Sequence, residues 1–146
     1  KEYPDVKFLG VDISKEMVNS GNEYFCLNNI DNISLVQKDM TSLNSFNDNE
    51  FDIVISDASL IYIDKNKITE VAKQMSRIAR SGLIIVAFDD NSQNSFGKVY
   101  QANWIRDYKT LFQKFTNRIE KRGFDEKIWP GKWSEFGKII TIFFDK

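Results

Sequence analysis

Short runs of β-branched and aromatic residues, separated by stretches with helical apolar spacing, constrain this chain more than any other feature. KFLGV at residues 7–11, ISLVQ at 33–37, FDIVIS at 51–56, LIIVAF at 83–88 and KIITIFF at 138–144 read as strands. The middle runs are apolar at both alternations, which predicts parallel strands covered by helices on both faces. Between them, Met17, Val18, Gly21, Tyr24 and Phe25 form one helical stripe behind a Ser14 cap, and Ile68, Val71, Ala72, Met75 and Ala79 form a second. Gly82 is placed to close that second helix at C′. A third stripe, Trp104, Tyr108, Leu111, Phe112, Phe115 and Ile119, runs to Gly123, where RGF restarts an extended segment, EKIWPGKW, before the final strand. Strands alternating with helices predict an α/β fold with a mainly parallel sheet.

A chain of 146 residues with 42% hydrophobic and 14% aromatic content is the size of one domain with one core, so a single domain over 1–146 is expected. The 20 basic and 21 acidic residues are interspersed and leave a formal charge of −1, so no electrostatic footprint points to nucleic acid or an anionic membrane. Histidine is absent, which removes Ser-His and Cys-His couples and histidine metal sites and disfavours hydrolase and zinc readings. Cys26 is the single cysteine, expected to be a buried helix residue, and the lack of a disulfide suits a reducing, cytoplasmic setting. No apolar run is long enough to span a bilayer. The polar stretch FDDNSQNSFGK at 88–98 is long enough to suggest a binding loop.

Polar groups recur at the carboxyl ends of the predicted strands, where open α/β sheets bind ligands. The first run delivers Asp12, the second Asp39, the third Ser56 and Asp57, and the fourth Asp89 and Asp90. Any one of them is ordinary turn chemistry. Together they offer carboxylates for the vicinal hydroxyls of a ribose and for an exocyclic amine.

These residues resemble the class I S-adenosylmethionine-dependent methyltransferases. GVDIS matches that family's acidic strand-two motif, and DMTSLNSFNDNEFDIVISDASLIYI is similar to the stretch from its adenine-contacting aspartate through an LPF-like loop and a D-N-x-F-D segment into strand four. The resemblance covers residues 7–88; from 103 to 144 it is architectural, ending in an antiparallel hairpin. It implies a Rossmann-like, mostly parallel sheet and S-adenosylmethionine as cofactor. By the same resemblance Asp12 holds the ribose hydroxyls, Ile13 lines the adenine, Asp39 accepts from its amine, and Met40 offers its backbone N–H and side chain to the ring. Ser56 and Asp57 face the reactive end of the cofactor and the acceptor. The family's first strand and glycine-rich turn are expected before residue 1, so the chain reads as an N-terminally truncated member. On that reading residues 1–146 alone are expected to bind the cofactor weakly and to associate.

A nicotinamide-binding Rossmann domain shares the acidic residue after its second strand, and a non-catalytic methyltransferase-like partner subunit shares the whole pattern. A receiver domain is disfavoured because LIIVAFDD supplies no lysine at the late strand end. The S-D-A-S sequence at 56–59 lacks the N/D-P-P-Y signature of base and glutamine amino-group methylation, which favours a small-molecule acceptor, with no nucleic acid, membrane or metal involved. A homo-oligomer is compatible with the pattern. Any catalytic base would come from Asp57, Tyr62, Asp89 or Asp90. Trp129 and Trp133 are expected to pack against a neighbouring helix more readily than to lid a pocket, and Lys65–Lys67 and Glu120–Arg122 to be solvated helix ends.

Overall fold

The computed structural model describes residues 3–145. The chain divides into two compact units, Lys1–Ser45 and Phe46–Lys146.

In the first unit, β1 (Phe8–Asp12) and β2 (Ile33–Gln37) pair in parallel, with Gly10 opposite Leu35 and Asp12 opposite Gln37. The crossover is helix α1 (Lys15–Leu27), begun by Ser14, whose Oγ accepts the Met17 N–H at 3.2 Å. Leu35 fixes how the helix lies on the sheet. A Cβ on Gly10 would come within 2.4 Å of Leu35 Cδ2, and one on Gly21 within 2.4 Å of Cδ1, so the isobutyl group is wedged between two glycines. Asn22 reinforces the contact by exchanging hydrogen bonds with the backbone of Leu35, both 2.8 Å. The expected stripe is only partly buried: Val18 is inside, whereas Met17 and Tyr24 are exposed, because Gly21 and Leu35 bring the helix down on its Val18–Gly21–Phe25 side. Cys26, one step round the helix from Phe25, is exposed and not buried as expected. Leu9, Val11 and Val36, on the face opposite Leu35, are also exposed.

In the second unit, β3 (Phe51–Asp57), β4 (Ala79–Phe88), β7 (Ile119–Gly123) and β8 (Gly137–Phe143) form a sheet in the order β3-β4-β8-β7. The β3–β4 pair is parallel, and β4–β8 and β7–β8 are antiparallel. Helix α2 (Ile68–Ile78) covers one face, and its stripe of Ile68, Val71, Ala72 and Met75 is buried as the spacing predicts. The opposite face leaves Ile53 and Ile55 of β3 exposed, while at its other end Trp133 of the segment before β8 covers Phe88 and Gly137.

Two boundaries differ from the sequence expectation. Helix α2 stops at Ile78, and Gly82 lies inside β4 and not at a helix C′: a Cβ there would meet the Ile142 carbonyl oxygen at 2.3 Å, so its role is close approach to β8. The third stripe is not one helix. Lys98–Tyr100 (β5) and Asn103–Ile105 (β6) form an antiparallel hairpin, α3 is confined to Tyr108–Phe112, and Ile119 begins β7. Those apolar residues fall in a local hairpin strand, a short helix, a turn and a strand of the larger sheet. The terminal hairpin therefore begins at Ile119, and EKIWPGKW is a turn leading into the short helix α4 (Lys132–Phe136).

Candidate functional site

At the carboxyl end of the β1–β2 pair, Asp12 closes β1 and Asp39 follows β2 by two residues. The strands stay in register to this edge, where the Lys38 N–H donates to the Asp12 carbonyl at 2.8 Å. One oxygen of Asp12, Oδ1, accepts the Ser14 N–H at 2.7 Å, so the carboxylate does shape the turn into α1. Asp39 does the same locally, its Oδ1 accepting the Thr41 N–H at 2.8 Å. Each bond occupies part of the acceptor capacity of a carboxylate, which has about four lone-pair sites. Ile13 is 70% exposed beside Asp12, and Gln37 Nε2 donates to its carbonyl at 3.1 Å. Met40 is half-buried next to Asp39. The first unit thus brings Asp12, Ile13, Asp39 and Met40 to one strand edge, with an acidic group and an apolar side chain from each turn.

At the carboxyl end of β3, Ser56 is buried and its Oγ has no hydrogen-bond partner, an orphaned polar atom of the kind that a ligand or water satisfies. Asp57 is exposed at the strand end. The chain then turns sharply: Ala58 adopts φ 49° and donates its N–H to the Val86 carbonyl at 2.9 Å, which keeps the turn on the end of β4. A 3-10 turn, Leu60–Tyr62, buries Leu60 and Ile61 and leaves Tyr62 68% exposed.

The remaining acidic candidates are otherwise engaged. Asp89 is buried, accepts the Tyr108 N–H at 2.9 Å, and is bound through both oxygens by Lys121 Nζ at 2.8 Å. Lys121 also reaches Asn91 Oδ1 at 2.8 Å and Asp107 Oδ1 at 3.0 Å. It is a cluster-forming lysine on β7, not the solvated helix end expected from the charge run. Burial opposes the charge of Asp107, yet the hydrogen bond from Thr110 and the Lys121 ammonium hold its carboxyl below the ordinary range. Asp90 is likewise held low, by the Ser92 N–H first and by Gln93 and Lys98, which makes it a poor proton acceptor. Asp89 and Asp90 are thus parts of the scaffold, and Asp57 and Tyr62 keep exposed polar ends. No cluster of acidic or cysteine side chains able to hold a metal occurs among the described residues.

Trp129 stacks on Phe124 at 4.9 Å, and Trp133 packs edge-on to both and against Phe88 at 4.4 Å. The two tryptophans pack on strand-end aromatics and on each other, where a helix was the expected neighbour.

Parallel strand pairs joined by crossover helices, an antiparallel terminal hairpin and acidic groups at strand ends are elements of the class I methyltransferase architecture. Residues 1–82 match the family model described as a methyltransferase domain, and the chain belongs to that S-adenosylmethionine-dependent family. Among solved structures it is similar to a protein of Pyrococcus horikoshii (18% identity, TM-score 0.70), covering 99% of this chain and 74% of that one. It is also similar to a SAM-dependent methyltransferase of Methanosarcina mazei (16% identity, TM-score 0.62, 93% of this chain and 81% of that one). A third is magnesium protoporphyrin IX methyltransferase of Synechocystis with bound SAH (14% identity, TM-score 0.64, 94% of this chain and 64% of that one). No curated protein sequence matches the chain significantly.

Proposed function

We propose that the protein transfers the methyl group of S-adenosylmethionine to a small-molecule acceptor, and that residues 1–146 act as one methyltransferase domain. The observation that carries this reading is the pair of carboxylates, Asp12 and Asp39, at the carboxyl ends of adjacent parallel strands, each one also shaping its own turn. Asp12 suits the vicinal ribose hydroxyls, and Asp39 suits the adenine amine, with Ile13 and Met40 supplying apolar contact to the ring. The unsatisfied Ser56 hydroxyl suits the polar reactive end of the cofactor.

The cofactor supplies an activated sulfonium methyl and its own leaving group. The chain then contributes orientation and exclusion of water. Asp57 or Tyr62 would take a proton where the acceptor must lose one, since Asp89 and Asp90 are occupied. A small acceptor is favoured by the near-neutral charge balance and by S-D-A-S in place of an N/D-P-P-Y signature.

The experiment is calorimetry with S-adenosylhomocysteine on the full protein and on Asp12→Ala. Hydrogen bonds to a charged group contribute about 1.5–3 kcal/mol each, and even the lower figure predicts at least tenfold weaker binding. Unchanged affinity would return Asp12 to a turn residue and remove the basis of the ribose assignment.

A further inference from the structure

Arg106 is completely buried, with no salt bridge to a carboxylate among the described residues; Asp64 acts on it only electrostatically. Its neighbours in sequence and space, Asp89 and Asp107, are both taken by Lys121. Besides its interaction with the Tyr108 hydroxyl, the guanidinium is directed to backbone carbonyls. Nε donates to the Phe96 carbonyl at 3.2 Å, NH1 to Leu60 at 3.0 Å, and NH2 to Ile63. Phe96 belongs to the loop after β4, and Leu60 and Ile63 bracket the turn after β3 that projects Tyr62. The guanidinium carbon lies 4.8 Å from the centre of the Trp104 ring, which closes the plane on one side.

A second, independent feature shows the loop formed around this side chain. Gly97 adopts φ +77°, and a Cβ there would lie 2.2 Å from the Ile105 carbonyl oxygen and 2.5 Å from Arg106 Cγ. Asn94 Oδ1 accepts the N–H groups of Phe96 and Gly97, both at 2.9 Å, holding the bend that presents the Phe96 carbonyl. Backbone bonds complete the seam: Arg106 N–H to Phe88 at 3.1 Å and Asp90 N–H to Arg106 at 3.0 Å. A buried guanidinium is costly to desolvate, and a core that needed only volume is filled as well by an apolar side chain. The planar fork of arginine does what an apolar group does not, joining two separate loops through donors at fixed angles.

We infer that Arg106 is a positioning residue for methyl transfer: it locks the turn after β3 to the loop after β4 and so holds Tyr62 and the Asp57 turn in the geometry that meets the acceptor. This rests on the proposed methyltransferase reading and assigns to Arg106 no contact with the donor. Its effect is therefore on loop order, not on cofactor affinity.

The test compares the full protein with Arg106→Lys, which keeps the charge but lacks the fork, and with Arg106→Gly supplemented with guanidinium ion at low, non-denaturing concentration. Amide hydrogen exchange is read by segment, fluorotyrosine at Tyr62 is followed by 19F NMR, and S-adenosylhomocysteine serves as the binding probe. Expected are at least tenfold faster exchange across 58–64 and 91–97 with 83–88 and 140–143 unchanged, a displaced Tyr62 resonance, and affinity for the probe within about threefold. Added guanidinium is expected to restore loop protection in Arg106→Gly. Uniformly faster exchange through the sheet, no change in the two loops, or probe affinity falling in step with loop protection would each overturn the assignment. Failure of the unsubstituted protein to bind the probe at all would instead overturn the methyltransferase reading, before any variant is compared.

Discussion

The Lys121 ammonium lies 2.8 Å from both carboxylate oxygens of Asp89, tying the end of β4 to β7 across the intervening β8. Asp89 is 2% exposed in its side chain and Lys121 17%. Removing the lysine leaves Asp89 and Asp107 facing a site with no counter-ion, and breaking such a pair costs about 3–5 kcal/mol. Lys121→Ala is expected to lower unfolding free energy by that amount in urea titration, and to lose much less when Asp89→Asn is already present. A single-variant loss under about 1 kcal/mol would show that the cluster is solvated.

Tyr108 predicts a response to alkali. Burial pushes its phenol up to about 12, although the neighbouring Arg106 guanidinium favours the phenolate. Between pH 10 and 12 the unfolded chain loses this proton while the folded protein keeps it, so stability falls as pH rises through that window. The loss approaches about 2–3 kcal/mol at its upper end, at roughly 1.4 kcal/mol per unit. Tyr108→Phe is expected to flatten the alkaline decline. An identical decline in both proteins would assign it to other groups.

The wedge at Leu35 makes Gly21 a test of packing against propensity. Alanine gains about 1 kcal/mol over glycine in a helix interior, whereas overpacking costs typically 1–3 kcal/mol. Leu35 cannot swing aside freely because its other methyl abuts Gly10. Gly21→Ala is expected to be net destabilising, and Leu35→Ala to cancel part of the loss in the double variant. A full 1 kcal/mol gain for the single substitution, measured in urea, would show that the helix lifts without cost.

Asp39→Asn keeps the shape of the side chain while replacing part of an acceptor with a donor, which on the proposed reading would oppose the adenine amine. Affinity for S-adenosylhomocysteine is expected to fall, and an analogue lacking that amine is expected to lose its disadvantage. Equal discrimination by parent and variant would exclude Asp39 from reading the base.

What residue order determined by itself is local. The runs at 7–11, 33–37 and 51–56 became β1, β2 and β3 nearly to the residue, and the Ile68–Met75 stripe became α2, because strand and helix periods write themselves into neighbouring positions. Asp12, Asp39, Ser56 and Asp57 followed, since a strand's end decides where its next residue stands. Tertiary structure decided what depends on distant partners. Ile119–Gly123 is a strand despite its helical spacing because β8, nearly twenty positions on, offers ladder bonds that outweigh local preference. Lys121 stands in a charge run like any solvated face until β7 carries it to Asp89. Arg106 had no distinct signal in the mixed run NWIRDY, and its meaning required the carbonyls of Leu60 and Ile63, more than forty positions away, because a buried cation is defined by the acceptors that replace its water.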